Sequence, residues 1–262
     1  MTATTRIEID SAGVARLTMN RPQIHNAFDD ALIAQLTADL EALAANSEVR
    51  AVVLAAEGKS FSAGADLNWM RRMADYSEAE NLRDAGELSR LLNTLNRLPK
   101  PTIARVQGAA FGGGVGLVAC CDMAIASERA SFCLSEVKLG LIPATIGPFV
   151  VDAIGSRNAR RYFLTAERFS AFDAQRIGLV HEVSADETAL DARIDALLAA
   201  LKAGGPVAQY EAKELIFAVD KGPIDDAMRG DTAARIARIR ASEEGREGLN
   251  AFLGKRKANW LG

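Results

Sequence analysis

Apolar and polar positions along the chain fall into two alternating rhythms. Ile7–Glu8–Ile9 and Val14–Met19 are strand-like runs with Ser11, Ala12 and Gly13 between them, which predicts a hairpin. Pro22 ends the second run, because proline cannot donate to a ladder. Beyond Asn26, Leu32, Leu36, Leu40 and Leu43 recur at helical spacing. Ala51, Val52, Val53, Leu54 and Ala55 form a short continuous apolar run, as in a strand buried on both faces. The pattern then predicts a loop over 57–66 and a helix around 87–97 with Leu88, Leu91, Leu92, Leu95 and Leu98. Pro99 and Pro101 stop that helix, and a strand follows over 102–106. Gly108 and the run Gly112, Gly113, Gly114 precede an apolar helix through Cys121, and 122–126 reads as a further strand.

From Pro143 onward the chain reads mostly as helices. Ser170 with Asp173 resembles an N-terminal cap for a helix ending at Gly178, although a capping box prefers Glu or Gln at the second position. Gly204, Gly205 and Pro206 mark the best boundary, with helix over 207–241 and a short final helix after Ser242. Strands alternating with helices, then helices alone, predict an α/β fold with a core over 1–205 and a helical region over 206–262.

Composition narrows the classes. With 49% hydrophobic and 25% charged residues over 262 positions, the chain is an ordinary globular one. A formal net charge of −3 provides no basic field for nucleic acid. Arg235, Arg238 and Arg240 have helical spacing and read as a solvated or subunit-contact face. The three cysteines, Cys120, Cys121 and Cys133, show no CxxC spacing and read as small buried hydrophobes of a reducing compartment. The N-terminus has no signal-like stretch and no apolar run approaches the ~20 residues of a membrane span. The expectation is a cytoplasmic protein with no membrane or nucleic-acid partner.

Three segments carry candidate chemistry. Small residues after a buried strand, Phe61, Ser62, Ala63, Gly64, Ala65 and Asp66, either make a plain strand-to-helix turn or let a ligand approach the backbone. Asp66 is placed to cap a helix beginning at Leu67. The glycine run at 112–114 points to a helix N-terminus that attracts negative charge. It is not a dinucleotide fingerprint, since Ala119 stands where Gly112, Gly114 and Gly116 would need a last glycine. Glu136, in a rather apolar run, is either a proton-exchanging carboxyl in a dry pocket or a surface residue paired with Lys138. His25 and His181 form no metal motif, and no metal site is expected. Asp75 and Tyr76 lie in a polar stretch that is either a lid over a site or plain surface.

Together these segments resemble the crotonase (enoyl-CoA hydratase/isomerase) family over nearly the whole chain. The matching motifs are Asn20–Arg21–Pro22 with Asn26–Ala27, Phe61 through Asp66, and Gly108 through Gly114 with Cys121–Asp122. Leu164 through Phe169 with Ala174 to Val180, and Glu243 through Phe252 with Lys255 to Ala258, continue the match. The resemblance implies a spiral of ββα units with a C-terminal helical trimerisation region, assembled as a homotrimer or dimer of trimers. It implies an acyl-CoA substrate and no cofactor beyond that coenzyme A. Ala63 and Gly113 would donate N–H groups to the thioester oxygen. Ile24, Ala27, Ala63, Gly64, Ala65, Asp66, Leu67 and Gly113 would contact substrate or CoA, joined by Phe252 and Lys255 of a neighbouring subunit. His25 falls in this CoA-contact segment. Glu136 occupies the second of the family's two glutamate positions and Gly116 the first. On this reading Gly116 leaves space for substrate or water, and Glu136 is the principal acid–base group. The stretch after Pro143 also departs from the family's glycines, to Ala144–Thr145–Ile146. Both departures resemble the branch of bacterial 3-methylglutaconyl-CoA hydratases of leucine breakdown and relatives acting on terpenoid acids. Reversible hydration of 3-methylglutaconyl-CoA is therefore expected, with Δ3,Δ2-enoyl-CoA isomerase or general short-chain enoyl-CoA hydratase as alternatives. Arg157, Arg160, Arg161 and Lys213 are candidates to hold a distal carboxylate.

Overall fold

β1 (Thr5–Ile9) and β2 (Val14–Met19) pair antiparallel. Asp10 shapes their turn by accepting the Ala12 and Val14 N–H groups, and Gly13 takes φ 78°. The computed structural model describes residues 3–261. After α1 (Asp30–Ala45), whose leucines at 32, 36, 40 and 43 are all buried, the chain repeats one unit three times. A strand joins a six-stranded sheet, a short strand joins a four-stranded sheet, and helix follows. The units are β3 (Ala51–Ala56) and β4 (Ser60–Ser62) with α2 (Leu67–Met73) and α3 (Glu78–Asn96); β5 (Thr102–Val106) and β6 (Ala109–Phe111) with α4 (Gly113–Cys120); and β7 (Met123–Ser127) and β8 (Ser131–Cys133) with α5 (Gly147–Thr165). β3, β5 and β7 are parallel neighbours, as are β4, β6 and β8. This is the expected α/β spiral of ββα units.

The continuous apolar run of β3 follows from its position. Val52, Leu54 and Ala56 face the main core, which holds buried leucines of α1 and α3. Ala51 and Val53 face a second cluster, in which Leu190, Ile194 and Leu198 of α7 (Glu187–Ala203) pack on Val14, Ile103 and Ile125. Burial of each such side chain contributes roughly 1.5–3 kcal/mol before the entropic cost.

Several local expectations change. The predicted loop over 57–66 contains β4, and β6 precedes α4; both are only three residues long, too short for a periodicity signal. The region after Pro143 is not helical throughout. β9 (Phe169–Ser170) pairs with β8, and β10 (Glu182–Ser184) closes the large sheet against β7. α6 (Ala171–Arg176) starts at a complete capping box of Ser170 and Asp173. α3 begins nine residues before the predicted start, at a Ser77–Glu80 capping box. The helix predicted over 207–241 is broken into α8 (Pro206–Val219) and α9 (Asp226–Ala241) around Lys221 (φ 63°) and Pro223, and α10 (Glu243–Leu253) follows. Lys213 of α8 pairs with Asp122 at 2.9 Å and ties this helix to the sheet. All three cysteines are buried, and burial pushes their thiol pKa values up. Among the described residues no helix is long and apolar enough to cross a membrane.

Candidate active site

Three segments build one cavity of about 450 Å³. The first starts at the turn after β2, where His25 (φ 55°) and Asn26 (φ 51°) are both left-handed, a conformation asparagine tolerates better than most residues. Asn26 is fully buried and holds the turn. Its Oδ1 accepts the Arg21 N–H at 2.8 Å, and its Nδ2 donates to the Glu57 and Ser60 carbonyls at 2.9 Å each. Residues 62–66 lie alongside. Ser62 Oγ donates to the Asn26 carbonyl at 2.9 Å, Ala63 N–H to His25 O at 2.9 Å, and Asp66 N–H to Phe28 O at 2.7 Å. Gly64 N–H reaches Ser62 Oγ at 3.3 Å. The Ala65 N–H alone in this stretch has no acceptor among the described residues. Asp66 then caps α2 as expected, accepting the Asn68 and Trp69 N–H groups.

This geometry corrects one assignment. Ala63 cannot offer its amide to a ligand without breaking its bond to His25. Left-handed Gly64 (φ 88°) turns the chain between the two alanines, so one amide meets the His25 turn and the other, at Ala65, is left free.

The second segment is β6 running into α4. Gly112 adopts φ 50°, ψ −120°, where a side chain would be strained. Its N–H donates to Cys133 O at 2.9 Å and anchors the loop to β8, while the Gly113 N–H has no acceptor among the described residues. A free N–H at a helix start carries the positive end of the helix dipole.

The third segment is a 3-10 turn, Glu136–Leu139, after β8. Glu136 lines the same cavity as Ala65 and Gly113. Its Oε2 is buried and accepts no hydrogen bond. Burial raises its carboxyl pKa above the usual glutamate value, with its own N–H pulling weakly the other way. The surface-pair alternative fails, because Lys138 Nζ donates to Ala166 O at 2.6 Å instead. Most of the remaining wall is apolar and includes Leu67, Met70, Met73, Leu88, Ile142 and Ile146.

Gly116 leaves no open space. A Cβ there would lie 3.0 Å from Ile146 Cβ, closer still to Ile146 Cγ2, and 3.2 Å from Leu92 Cδ2. The volume expected for substrate or water is filled by Ile146.

Gly64, Ala65 and Leu67 line the cavity with Ala63. Ile24 and Ala27 do not; they bond to each other within the turn, Ala27 N–H to Ile24 O at 3.1 Å. Phe252 is 82% exposed on α10, and Lys255 (φ 50°) follows that helix; neither lines the cavity of its own chain. His25 Nδ1 sits 3.1 Å from Ser60 Oγ, and His181, just before β10, accepts the Ala124 N–H on Nδ1. None of the four candidate carboxylate anchors reaches the cavity. Arg157 and Arg160 are exposed on α5, Arg161 pairs with Glu167 at 2.6 Å, and Lys213 is held by Asp122. Arg235 and Arg238 are paired with Asp231 and Glu211. Among the described residues no Lys, Arg or His lines the cavity, and no group of His, Cys, Asp and Glu is arranged to hold a metal ion.

One site residue went unread in the sequence. Asp84 of α3 lines the cavity, accepts the Trp69 indole N–H at 3.2 Å, and has its carboxyl pKa raised by burial. The Ser77–Glu80 capping box was the available signal. It starts α3 early enough to set Asp84 and Leu88 on one helical face. Asp84 is shared with an adjoining pocket that Tyr76, Glu80, Arg83 and Glu87 also line.

The spiral and its cavity define the crotonase class of acyl-CoA enzymes. The chain belongs to the enoyl-CoA hydratase/isomerase family, whose sequence profile matches residues 10–262. It is similar to a crystal structure of an enoyl-CoA hydratase from Shewanella pealeana, at 49% identity and TM-score 0.95, covering 98% of this chain and 96% of that one. An enoyl-CoA hydratase structure from Mycobacterium smegmatis matches at 35% identity and TM-score 0.93 over all of both chains. The 2,3-dehydroadipyl-CoA hydratase of Escherichia coli is 32% identical over 95% of each chain.

Proposed function

We propose that the chain adds water reversibly across the double bond of an enoyl-CoA thioester, with 3-methylglutaconyl-CoA as its substrate. The observation that carries the chemistry is the shared cavity of Glu136 and the unpaired Ala65 and Gly113 amides. Water attacks the β-carbon while the Glu136 carboxylate takes one of its protons. The two amides hold the thioester oxygen as charge develops there. The resulting carboxylic acid then delivers its proton to the α-carbon, so that one water is added overall. Fixed donors favour this transition state over the ground state, each contributing roughly 2.7–4 kcal/mol. A buried carboxyl with a raised pKa is suited to both proton transfers. No resident cofactor or metal is required, because coenzyme A arrives with the substrate.

The acyl group is supported by the departures at Gly116 and at Ala144–Thr145–Ile146 and by a relative whose name contains a dicarboxylic acyl-CoA. With no cation on the cavity wall, the positive side chain a distal carboxylate could reach past Asp84 is Arg83 of the adjoining pocket, where it would have to outweigh Glu80 and Glu87. Phe252 and Lys255 would complete the coenzyme site of a neighbouring subunit in a trimer.

One observation favours Δ3,Δ2-enoyl-CoA isomerisation instead. Ile146 fills the space beside Gly116, so Glu136 has no second carboxyl there to share the activation of water. Turnover in ¹⁸O-labelled water separates the two. A hydratase yields a labelled 3-hydroxyacyl product; conversion of a 3-enoyl-CoA without label uptake, and no hydration of 2-enoyl esters, would establish the isomerase.

A further inference from the structure

The geometry assigns Gly116 and Ile146 to one interlocked pair that sets how much room the acyl cavity has for a branch near the reacting carbons, with Ile146 as the specificity-determining residue. The inference rests on the cavity being an acyl-CoA site. Gly116 sits inside α4 and is buried. Glycine is a poor helix former, and no left-handed backbone requires it here, since Gly116 is absent from the positive-φ glycines. Its reason is spatial. The position its Cβ would take is crowded by Ile146 Cβ at 3.0 Å, by Ile146 Cγ2 more closely, and by Leu92 Cδ2 at 3.2 Å.

Ile146 is only 3% exposed, yet it lines the cavity together with Glu136, Ala65 and Gly113. Its side chain therefore has two faces, one seated in the notch left by Gly116 and one forming cavity wall. It has little freedom to move away. Its carbonyl accepts the Val150 N–H at 3.0 Å at the start of α5, Gly147 N–H bonds to Ala144 O across the turn, and a β-branched residue is stiff at χ1. Any side chain at 116 must push Ile146 by on the order of 1 Å to recover ordinary contact. Leu92 is fully buried on the neighbouring side, which leaves the cavity as the direction of escape. Glycine at 116 thus lets the wall sit back, and the notch and wall act as one unit.

The test is a double-variant cycle read on two pairs of esters that differ by one methyl group. Activity uses crotonyl-CoA against 3-methylcrotonyl-CoA, and binding uses the saturated butyryl-CoA against 3-methylbutyryl-CoA. Folding of each variant is checked by circular dichroism. Gly116→Ala should lower the branched-to-linear ratio of kcat/KM, and of affinity, by about tenfold or more, the effect of one methylene in a tight apolar pocket. Ile146→Ala should raise both ratios, and the double variant should return them to within about threefold of the wild type. Should Gly116→Ala not fold, Ile146→Ala alone must raise the ratio. Equal loss on both esters, or ratios that do not move in Ile146→Ala, overturn the pairing. If the wild type binds both esters but hydrates neither them nor 3-methylglutaconyl-CoA, the hydratase reading fails while the affinity ratios still decide this inference. Binding of neither ester overturns both.

Discussion

Replacing Glu136 by glutamine changes almost nothing in shape and removes the ability to take up and release a proton. The amide keeps the volume of the carboxyl beside Gly112, and no hydrogen bond is lost at Oε2, because that oxygen accepts none. General acid–base groups contribute about 10²–10⁴-fold, so kcat for hydration should fall by that factor, about 2.7–5.4 kcal/mol of barrier. Stability should move the opposite way. Burial raises the Glu136 pKa above its usual 4.5, so the folded chain keeps a proton that the unfolded chain has already released. Stability from this group is complete below the ordinary glutamate value and is lost as pH rises through the raised folded value. Glutamine cannot ionise and escapes that loss. Glu136→Gln should melt at a higher temperature than the wild type at neutral pH, and the gain should shrink to nothing in acid. Initial rates on an enoyl-CoA and melting curves from acid to neutral pH read both effects. A near-normal kcat would refute the catalytic role, and a variant less stable than the wild type at pH 7 would refute the account of a shielded, unpaired carboxyl.

The other predictions follow from neighbouring contacts. Asp66→Ala removes the cap of α2, which carries Trp69, Met70 and Met73 into the cavity; it should cost about 1 kcal/mol by chemical denaturation and raise KM more than it lowers kcat. Lys213→Met leaves Asp122 without its ammonium partner in a mostly buried setting and should destabilise by about 3 kcal/mol in the same assay, with kcat little changed. Arg83→Ala should raise KM for 3-methylglutaconyl-CoA several-fold and leave crotonyl-CoA unaffected; equal effects on both would remove Arg83 as the anchor. Leu249, Phe252 and Leu253 are exposed together on α10, an apolar patch that fits a subunit contact. Phe252→Asp should therefore reduce the mass measured by analytical ultracentrifugation and weaken CoA-ester binding together.

Much of this protein was legible in the order of its residues. Leu32, Leu36, Leu40 and Leu43 mark a helix because burial repeats with its turn, and the unbroken run from Ala51 marks a strand covered on both faces. The caps at Asp66 and Ser170 were readable because capping is local chemistry between residues three apart. Glu136 was readable as a carboxyl out of place among apolar neighbours. What pattern reading could not reach depends on contacts between distant segments. Three-residue strands such as β4 and β6 exist only because each finds a partner in another turn of the spiral. The left-handed pair His25 and Asn26 presents a carbonyl that takes the Ala63 amide, which moves the free donor to Ala65. The fate of Gly116 was decided by Ile146, thirty residues away. A sequence states which groups are available; hydrogen bonds and volume are each used once, and only the folded chain shows which are already spent.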